Sequence, residues 1–336
     1  MKRLLFLFVA LPLAAIAAAA AFGAWWVQQP LRGANSALIE TPLELSVASG
    51  SSSRAVARAV AAAGVDVSPL ALYAWFRASG RGTDIKAGFY EIQPGATPSS
   101  LLDQLVRGEQ ALRSVTLLEG WNSRETLAAL RANKDLKQDM NGLSPQAIMV
   151  LIGLPGRHPE GQFFPDTYRV ARNAPASSVL KQAAQAMQQR LEKAWAQRSA
   201  SSVLKTPEDA LILASIIEKE TGTESDRALV GGVFNNRLRI GMRLQTDPTV
   251  IYGIGESFDG DLRRNDLLTD TPYNTYTRAG LPPTPISMPG WNSLLAAVQP
   301  ADTTALYFVA RGDGSSQFSG SLQEHNAAVR RYQLNR

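Results

Sequence analysis

The chain opens with an uncharged stretch, Leu4 to Val27, of 24 residues. As a helix rising 1.5 Å per residue it spans about 36 Å, enough for a hydrocarbon core of about 30 Å. This pattern predicts a transmembrane anchor over residues 4–27. Lys2 and Arg3 ahead of it make residues 1–3 a cytoplasmic tip under the positive-inside rule. Trp25 and Trp26 fall where an interfacial aromatic belt would lie. Ala-x-Ala sequences between Ala14 and Ala24 leave a cleaved signal peptide as the rival reading. A signal core has only about 7–15 apolar residues, so a retained anchor fits better. On either reading the rest of the chain lies outside the cytoplasm. Residues 28–44 read as a polar tether.

Beyond the tether the pattern alternates between period 2 and period 3.6. Three strand–turn–helix segments follow: "ELSVASGSSSRAVARAVAAAG", "FYEIQPGATPSSLLDQLVRG" and "SVTLLEGWNSRETLAALRAN". Their caps are Ser52 or Ser53, Thr97, and Asn122 or Ser123. Between the first two, "SPLALYAWFRASG" predicts a helix with Pro69 at its first position and Gly80 at its end. Strand–Gly–cap–helix is common in any α/β protein. The run from residue 45 to 108 also resembles a LysM domain, a small βααβα module that binds N-acetylated glycans. Residues 109–336 then form a larger domain. Short strands and helices with both periodicities predict an α+β fold.

In that larger domain "EGQFFPDTYRV", residues 160–170, sets two phenylalanines and Tyr168 beside Glu160 and Asp166. Flat aromatic faces suit a sugar cleft, although clustered aromatics are more often core. Ser177 to Arg198 predicts a long amphipathic helix. Thr206-Pro207-Glu208-Asp209 starts another, with Thr206 as cap. Its body, "ALILASII", is apolar apart from Ser215, so it should be buried nearly all round. It ends in Glu218 and Glu220, about 200° apart at 100° per residue. They therefore cannot form a paired-carboxylate site on one face. Glu218 shares its stripe with Leu211, Ala214 and Ser215, and the small residues one turn before it leave room for an approaching group. Glu220 shares its stripe with the bulkier Leu213 and Ile216.

Burial disfavours a carboxylate's charge and raises its pKa, which makes a proton donor at neutral pH. The plain alternative is that both glutamates are helix-end residues, solvated or paired with Lys219 or Arg227. Composition narrows the remaining chemistry. With no cysteine there is no thiolate nucleophile or thiolate metal site, and the two histidines, His158 and His325, are far apart; no metal is expected. Net charge is +5 and the pI about 9.5. The charge is dispersed, which favours anionic surfaces over a nucleic-acid patch.

"EKETGTESDRALVGGVFNNRLRIGMRLQTDPTVIYGIG" and "YNTYTRAGLPPTPISMPG", with "EGQFFPDTY" and "LYFVARGDGSSQFSGSLQEHN", closely resemble the YceG-like (MltG-type) endolytic murein transglycosylases. The resemblance covers nearly the whole chain. It implies a single-pass protein of the cell inner membrane with its catalytic domain in the periplasm and peptidoglycan strands as substrate. The reaction implied is cleavage of the β-1,4 bond between N-acetylmuramic acid and N-acetylglucosamine in nascent strands, leaving 1,6-anhydromuramyl ends. It assigns the catalytic role to Glu218, as acid and then base, and needs no cofactor. Glu220 is then a structural or orienting residue.

Gln245, Tyr273, Asn274 and Glu160 are the expected substrate-binding residues, the first three mainly on the resemblance. Asp247 reads as a helix cap with Pro248 behind it, or as a ligand. His325 reads as packing or surface. Two other functions stay open: a noncatalytic peptidoglycan-binding scaffold that recruits peptidoglycan synthases, and a hydrolase using Asp247 or Glu220 as second carboxylate.

Overall fold

The structure, a computed structural model, describes residues 2–33 and 38–334, with the side chains of residues 2–12 outside the description. It divides into two compact units: residues 1–113 with 170–173, and residues 114–169 with 174–336.

The first unit begins with helix α1, Lys2–Trp26. Met1 and the side chains of Lys2 and Arg3, the expected cytoplasmic tip, lie outside the described residues, as do the side chains of residues 4–12 of the expected anchor. Among the described residues no helix is long and apolar enough to cross a membrane. Strand β1, Leu43–Val47, and helices α2, Ser53–Ala62, and α3, Pro69–Ala78, come next, then strand β2, Gly88–Ile92, and helix α4, Pro98–Arg107. β1 and β2 pair antiparallel with Leu45 opposite Tyr90. Alternation puts Leu45, Val47, Tyr90 and Ile92 on the buried face, against Val56, Leu72, Phe76 and Leu101 from the helices. Ser52 and Thr97 cap α2 and α4, and Gly108 ends α4 in the left-handed region, where only glycine avoids a Cβ clash.

The expected polar tether is partly core. Leu31 and Ile39 are buried with these residues, and the Leu31 N–H donates to the Ala96 carbonyl at 2.7 Å. Leu31 and Ile39 are apolar, so burying them is favourable even in a segment that is otherwise polar. The expected boundary at 108/109 also differs from the observed division. That division falls inside strands β3, Leu112–Thr116, and β4, Thr167–Ala171, which pair in a two-stranded sheet.

The second unit carries α5, Ser123–Ala132, and α6, Pro145–Leu151, before β4. After β4 come α7, Ala176–Ala196, α8, Pro207–Glu220, α9, Glu224–Arg239, and α10, Asp247–Ile254. Then follow α11, Arg264–Leu268, α12, Trp291–Val298, the antiparallel pair β5, Tyr307–Ala310, and β6, Ser316–Ser319, and α13, Leu322–Val329. α8 lies at the centre, packed on α7, α9, α10 and α12. Its residues Ala210 to Ile217 are all buried, as an apolar circumference requires. Gly231 lets α9 approach α12: a Cβ there would lie 2.3 Å from the Ala296 carbonyl oxygen. The fold is mixed α+β with small two-stranded sheets.

Candidate active site

Helix α8 presents the chemistry. Thr206 and Asp209 close a capping box at its start, with Pro207 in the first turn, satisfying amide donors that a buried helix end would otherwise leave orphaned. Its last turn then aims Glu218 and Glu220 to opposite sides.

Glu218 meets polar partners. Its side chain is only 6% exposed, with Oε1 3.8 Å from the Arg227 guanidinium, and Oε2 accepts the Gly290 N–H at 2.9 Å. Lys219 donates to the Gly120 carbonyl at 3.2 Å. Glu119 comes in beside them. Burial and the charge of Glu218 hold its carboxyl above the ordinary range, with Arg227 pulling it down. A Cβ on Gly290 would lie 1.8 Å from Glu119 Oε1.

The room that Ala214 and Ser215 provide next to Glu218 is taken by the protein's own backbone. The Ile286 N–H donates to the Ser215 hydroxyl, and the Ser287 hydroxyl to the Ser215 carbonyl, both at 3.0 Å. The Glu218 side chain is therefore buried, with an arginine and a backbone amide as its contacts and Ile286, Ser287 and Gly290 packed along its stripe.

Glu220 has the setting expected of its neighbour. Burial pushes its carboxyl up, the charge of Asp247 adds to this, and the Thr246 hydroxyl and Arg237 oppose it. The bulky Leu213 and Ile216 on its stripe are both fully buried; they exclude water from it. Thr246 donates its hydroxyl to Glu220. The carboxyl lines a cavity of about 430 Å³, which Arg237, Gln245, Asp247, Tyr276 and His325 also line.

Each wall is fixed by a local cause. The Arg237 guanidinium donates to the carbonyls of Leu306 at 2.7 Å and Leu244 at 2.6 Å. Gln245 sits at φ 49°, a left-handed conformation that costs a non-glycine residue free energy and clusters at functional sites. Asp247 is the first residue of α10, while Thr246 holds the cap position and caps nothing with its side chain. The expected Asp247 cap is thus replaced by another bond: its Oδ1 accepts the Tyr276 hydroxyl at 2.5 Å. The His325 ring stacks on Tyr307, centroids 5.2 Å apart. Its Nδ1 is buried without a hydrogen-bond partner, and burial and Arg237 lower its pKa.

Of the other expected binding residues, only Gln245 joins this cavity. Asn274 is fully buried, and its amide donates to the carbonyls of Asp266, Leu267 and Thr269 while its oxygen accepts the Tyr276 N–H. It builds the loop that carries Tyr276. Tyr273 packs edge-on against Tyr252, centroids 4.9 Å apart, with its hydroxyl 2.9 Å from that of Thr284. Glu160 is 1% exposed, accepts the Ser123 N–H and hydroxyl and the Tyr252 hydroxyl, and is raised mainly by burial. It anchors the start of α5. Arg237 and Tyr307 are the polar and aromatic cavity residues that sequence reasoning passed over, and His325, read as packing or surface, also lines the cavity. Among the described residues no group of three acidic, histidine or cysteine side chains is arranged to hold a metal.

Residues 45–331 match the YceG-like family. The chain belongs to that family. Among YceG-like relatives, an endolytic murein transglycosylase of Bacillus subtilis (strain 168) is 31% identical over 315 residues, covering 87% of this chain and 85% of the relative. An endolytic murein transglycosylase of Streptococcus pneumoniae serotype 2 is 27% identical over 74% of this chain, which spans half of that protein. The crystal structure of a YceG-like protein from Listeria monocytogenes superposes with a TM-score of 0.52 at 26% identity, covering 86% of this chain and 99% of that one.

Proposed function

We propose that this YceG-like chain is a lytic transglycosylase that cuts peptidoglycan strands internally, with Glu218 as its general acid. The single observation that supports the assignment is a carboxyl only 6% exposed at the end of the buried helix α8, with its oxygens facing the Gly290 N–H and the Arg227 guanidinium. The names of the relatives support the reaction class.

In this reading Glu218 donates its proton to the glycosidic oxygen between N-acetylmuramic acid and N-acetylglucosamine, and the C1–O bond breaks. The resulting carboxylate then takes the proton of the C6 hydroxyl as that oxygen bonds to C1. The product is a 1,6-anhydro end, and Glu218 is protonated again. No water enters the balance. The substrate's own N-acetyl group stabilises the cationic carbon, so no carboxylate nucleophile is required. Tyr307 and Phe308 offer flat faces and Gln245 an amide to the sugar.

The rest of the reading concerns place. The uncharged segment 4–27 in the sequence supports a single-pass inner-membrane anchor, with the catalytic unit in the periplasm. The β1-α2-α3-β2-α4 order supports a LysM-like glycan-holding role for the first unit. Peptidoglycan synthases are the proposed protein partners.

Digestion of purified peptidoglycan by wild type, Glu220→Gln and Glu218→Gln, with chain ends read by mass spectrometry, tests all of this. Anhydro ends from wild type, lost in Glu218→Gln, are expected. Ends carrying added water make the protein a hydrolase, and no new ends leave a binding scaffold.

A further inference from the structure

The reaction asks Glu218 for a proton, yet its contacts are an arginine and a backbone N–H, and both favour a charged carboxylate. A second carboxyl, Glu119, stands beside them and has no task in the mechanism above. We infer that Glu119 is a positioning residue for cleavage: it and Glu218 form one carboxyl pair, braced on Gly290 and sharing the Arg227 cation, that holds a proton for the glycosidic oxygen. This rests on the reading of Glu218 as the acid.

The geometry is a glycine flanked by two carboxyls. The Gly290 N–H donates to Glu218 Oε2 at 2.9 Å. On the same residue a Cβ would lie 1.8 Å from Glu119 Oε1 and 2.4 Å from its carboxyl carbon. Glu119 is an exposed residue, but its carboxyl thus takes the place of a side chain at position 290. Two backbone bonds hold it there. The Gly120 N–H donates to the Met288 carbonyl at 3.0 Å, and the Met288 N–H to the Trp121 carbonyl at 2.7 Å. A Cβ on Gly120 would lie 4.0 Å from Glu218 Cγ, so this turn runs beside the last turn of α8. Lys219 ties the two together through the Gly120 carbonyl, at 3.2 Å. Segments 119–121 and 288–290 and the end of α8 are therefore one braced unit that carries both carboxyls.

The charged groups around the pair are few. α9 brings Arg227, whose Nε is buried without a hydrogen-bond partner. Its Glu224 is turned to the Asn292 amide at 3.1 Å, and its Asp226 to the Ser316 N–H at 2.6 Å. α12, WNSLLAAV, has no titratable side chain. From α7, Arg190 and Lys193 lie over the Trp291 ring. On α10, Asp247 accepts the Tyr276 hydroxyl, and Tyr252 donates to Glu160. On α8 itself Lys219 turns to Gly120, and Glu220 points to the opposite side. One cation therefore serves two carboxyls. With both ionised the cluster has a surplus negative charge; with one proton aboard it is neutral. Like charges in a poorly hydrated place disfavour each other, so the pair keeps a proton that a lone carboxylate facing Arg227 would give up. The Glu119 carboxyl is accordingly held up by burial and by the charge of Glu218, against the pull of Arg227. Such coupling is mutual and belongs to the pair. Once the proton has gone to the leaving oxygen, both negative charges are present as the anomeric carbon becomes positive.

The test uses the full chain in detergent and two readouts. The first is the pH profile of kcat/KM on peptidoglycan for wild type, Glu119→Gln, Glu119→Asp and Gly290→Ala. The second is the titration of the Glu119 carboxyl in wild type and Glu218→Gln, followed by carbon NMR on glutamate-labelled protein and assigned by its disappearance in Glu119→Gln. Glu119→Gln is expected to move the basic limb about one pH unit lower, with Glu119→Asp nearer wild type. Gly290→Ala, which keeps both carboxyls but pushes Glu119 aside, is expected to move the limb the same way. The Glu119 titration should fall in Glu218→Gln. An unmoved limb in both Glu119→Gln and Gly290→Ala, or an unmoved Glu119 titration in Glu218→Gln, overturns the inference. If Glu218→Gln cleaves like wild type while the Glu119 titration still falls, the choice of acid is wrong and the coupling between the two carboxyls stands.

Discussion

The two sides of helix α8 differ in what fills the space beside each glutamate. On the Glu218 side, small residues admit the chain's own segment 284–290, and the carboxylate is locked to Arg227 and the Gly290 amide. On the Glu220 side, bulky residues shed water while the facing elements leave a cavity. Small neighbours on a buried helix therefore invite protein packing as readily as substrate. Large ones, at a site left open by other elements, leave a buried carboxyl beside an open cavity, where burial raises its pKa.

The largest expected effect is on turnover. Glu218→Gln should lower the rate of anhydro-end formation at least about 100-fold, the usual scale for losing a general acid, as measured by chromatography of digests. Wild-type activity in that variant would remove the distinction between the sides. The same variant should lose about 2–3 kcal/mol in urea unfolding, because Arg227 is left buried without its partner charge. Glu220→Gln is the sharper complement: it should stay within about tenfold of wild type per folded molecule.

Gly290→Ala probes the crowded side with less disturbance. The added Cβ must push the Glu119 carboxyl aside, at a cost of about 1–2 kcal/mol. The Gly290 N–H that holds Glu218 is kept, so cleavage should fall less than in Glu218→Gln.

The smallest effect concerns stability against pH. The folded-state pKa of Glu220 lies above its ordinary value of 4.5, so the native state binds more protons than the unfolded one between those two values. Stability from this group is full below that ordinary value and falls as pH rises toward the folded pKa. Glu220→Gln cannot ionise. Its melting temperature should match wild type at about pH 4 and exceed it at neutral pH, as calorimetry across pH would record. The burial that raises the Glu160 carboxyl is common to both proteins and cancels.

Local signals in the sequence predicted much of the fold. Ser52, Thr97, Asn122 and Thr206 all cap the helices their positions suggested, because a cap is decided within three residues. The burial of α8 followed from its unbroken apolar run. The site was less legible. Angular spacing separates Glu218 from Glu220 but does not say what packs beside each. The segment that occupies the Glu218 side lies about 70 residues downstream, and Glu160 finds its partners 37 and 92 residues away. Asp247 before Pro248 is a good cap in isolation; only the distant Tyr276 hydroxyl diverts it.

The far wall of the cavity comes late in the polypeptide. Tyr307, Phe308, Leu322, His325 and Asn326 line it, some 90 to 105 residues beyond Glu220. A chain still being made or exported therefore carries its acid well before it has a groove to hold a sugar. Coupling activity to completion of this late segment would keep half-finished molecules from nicking the wall they are being delivered to.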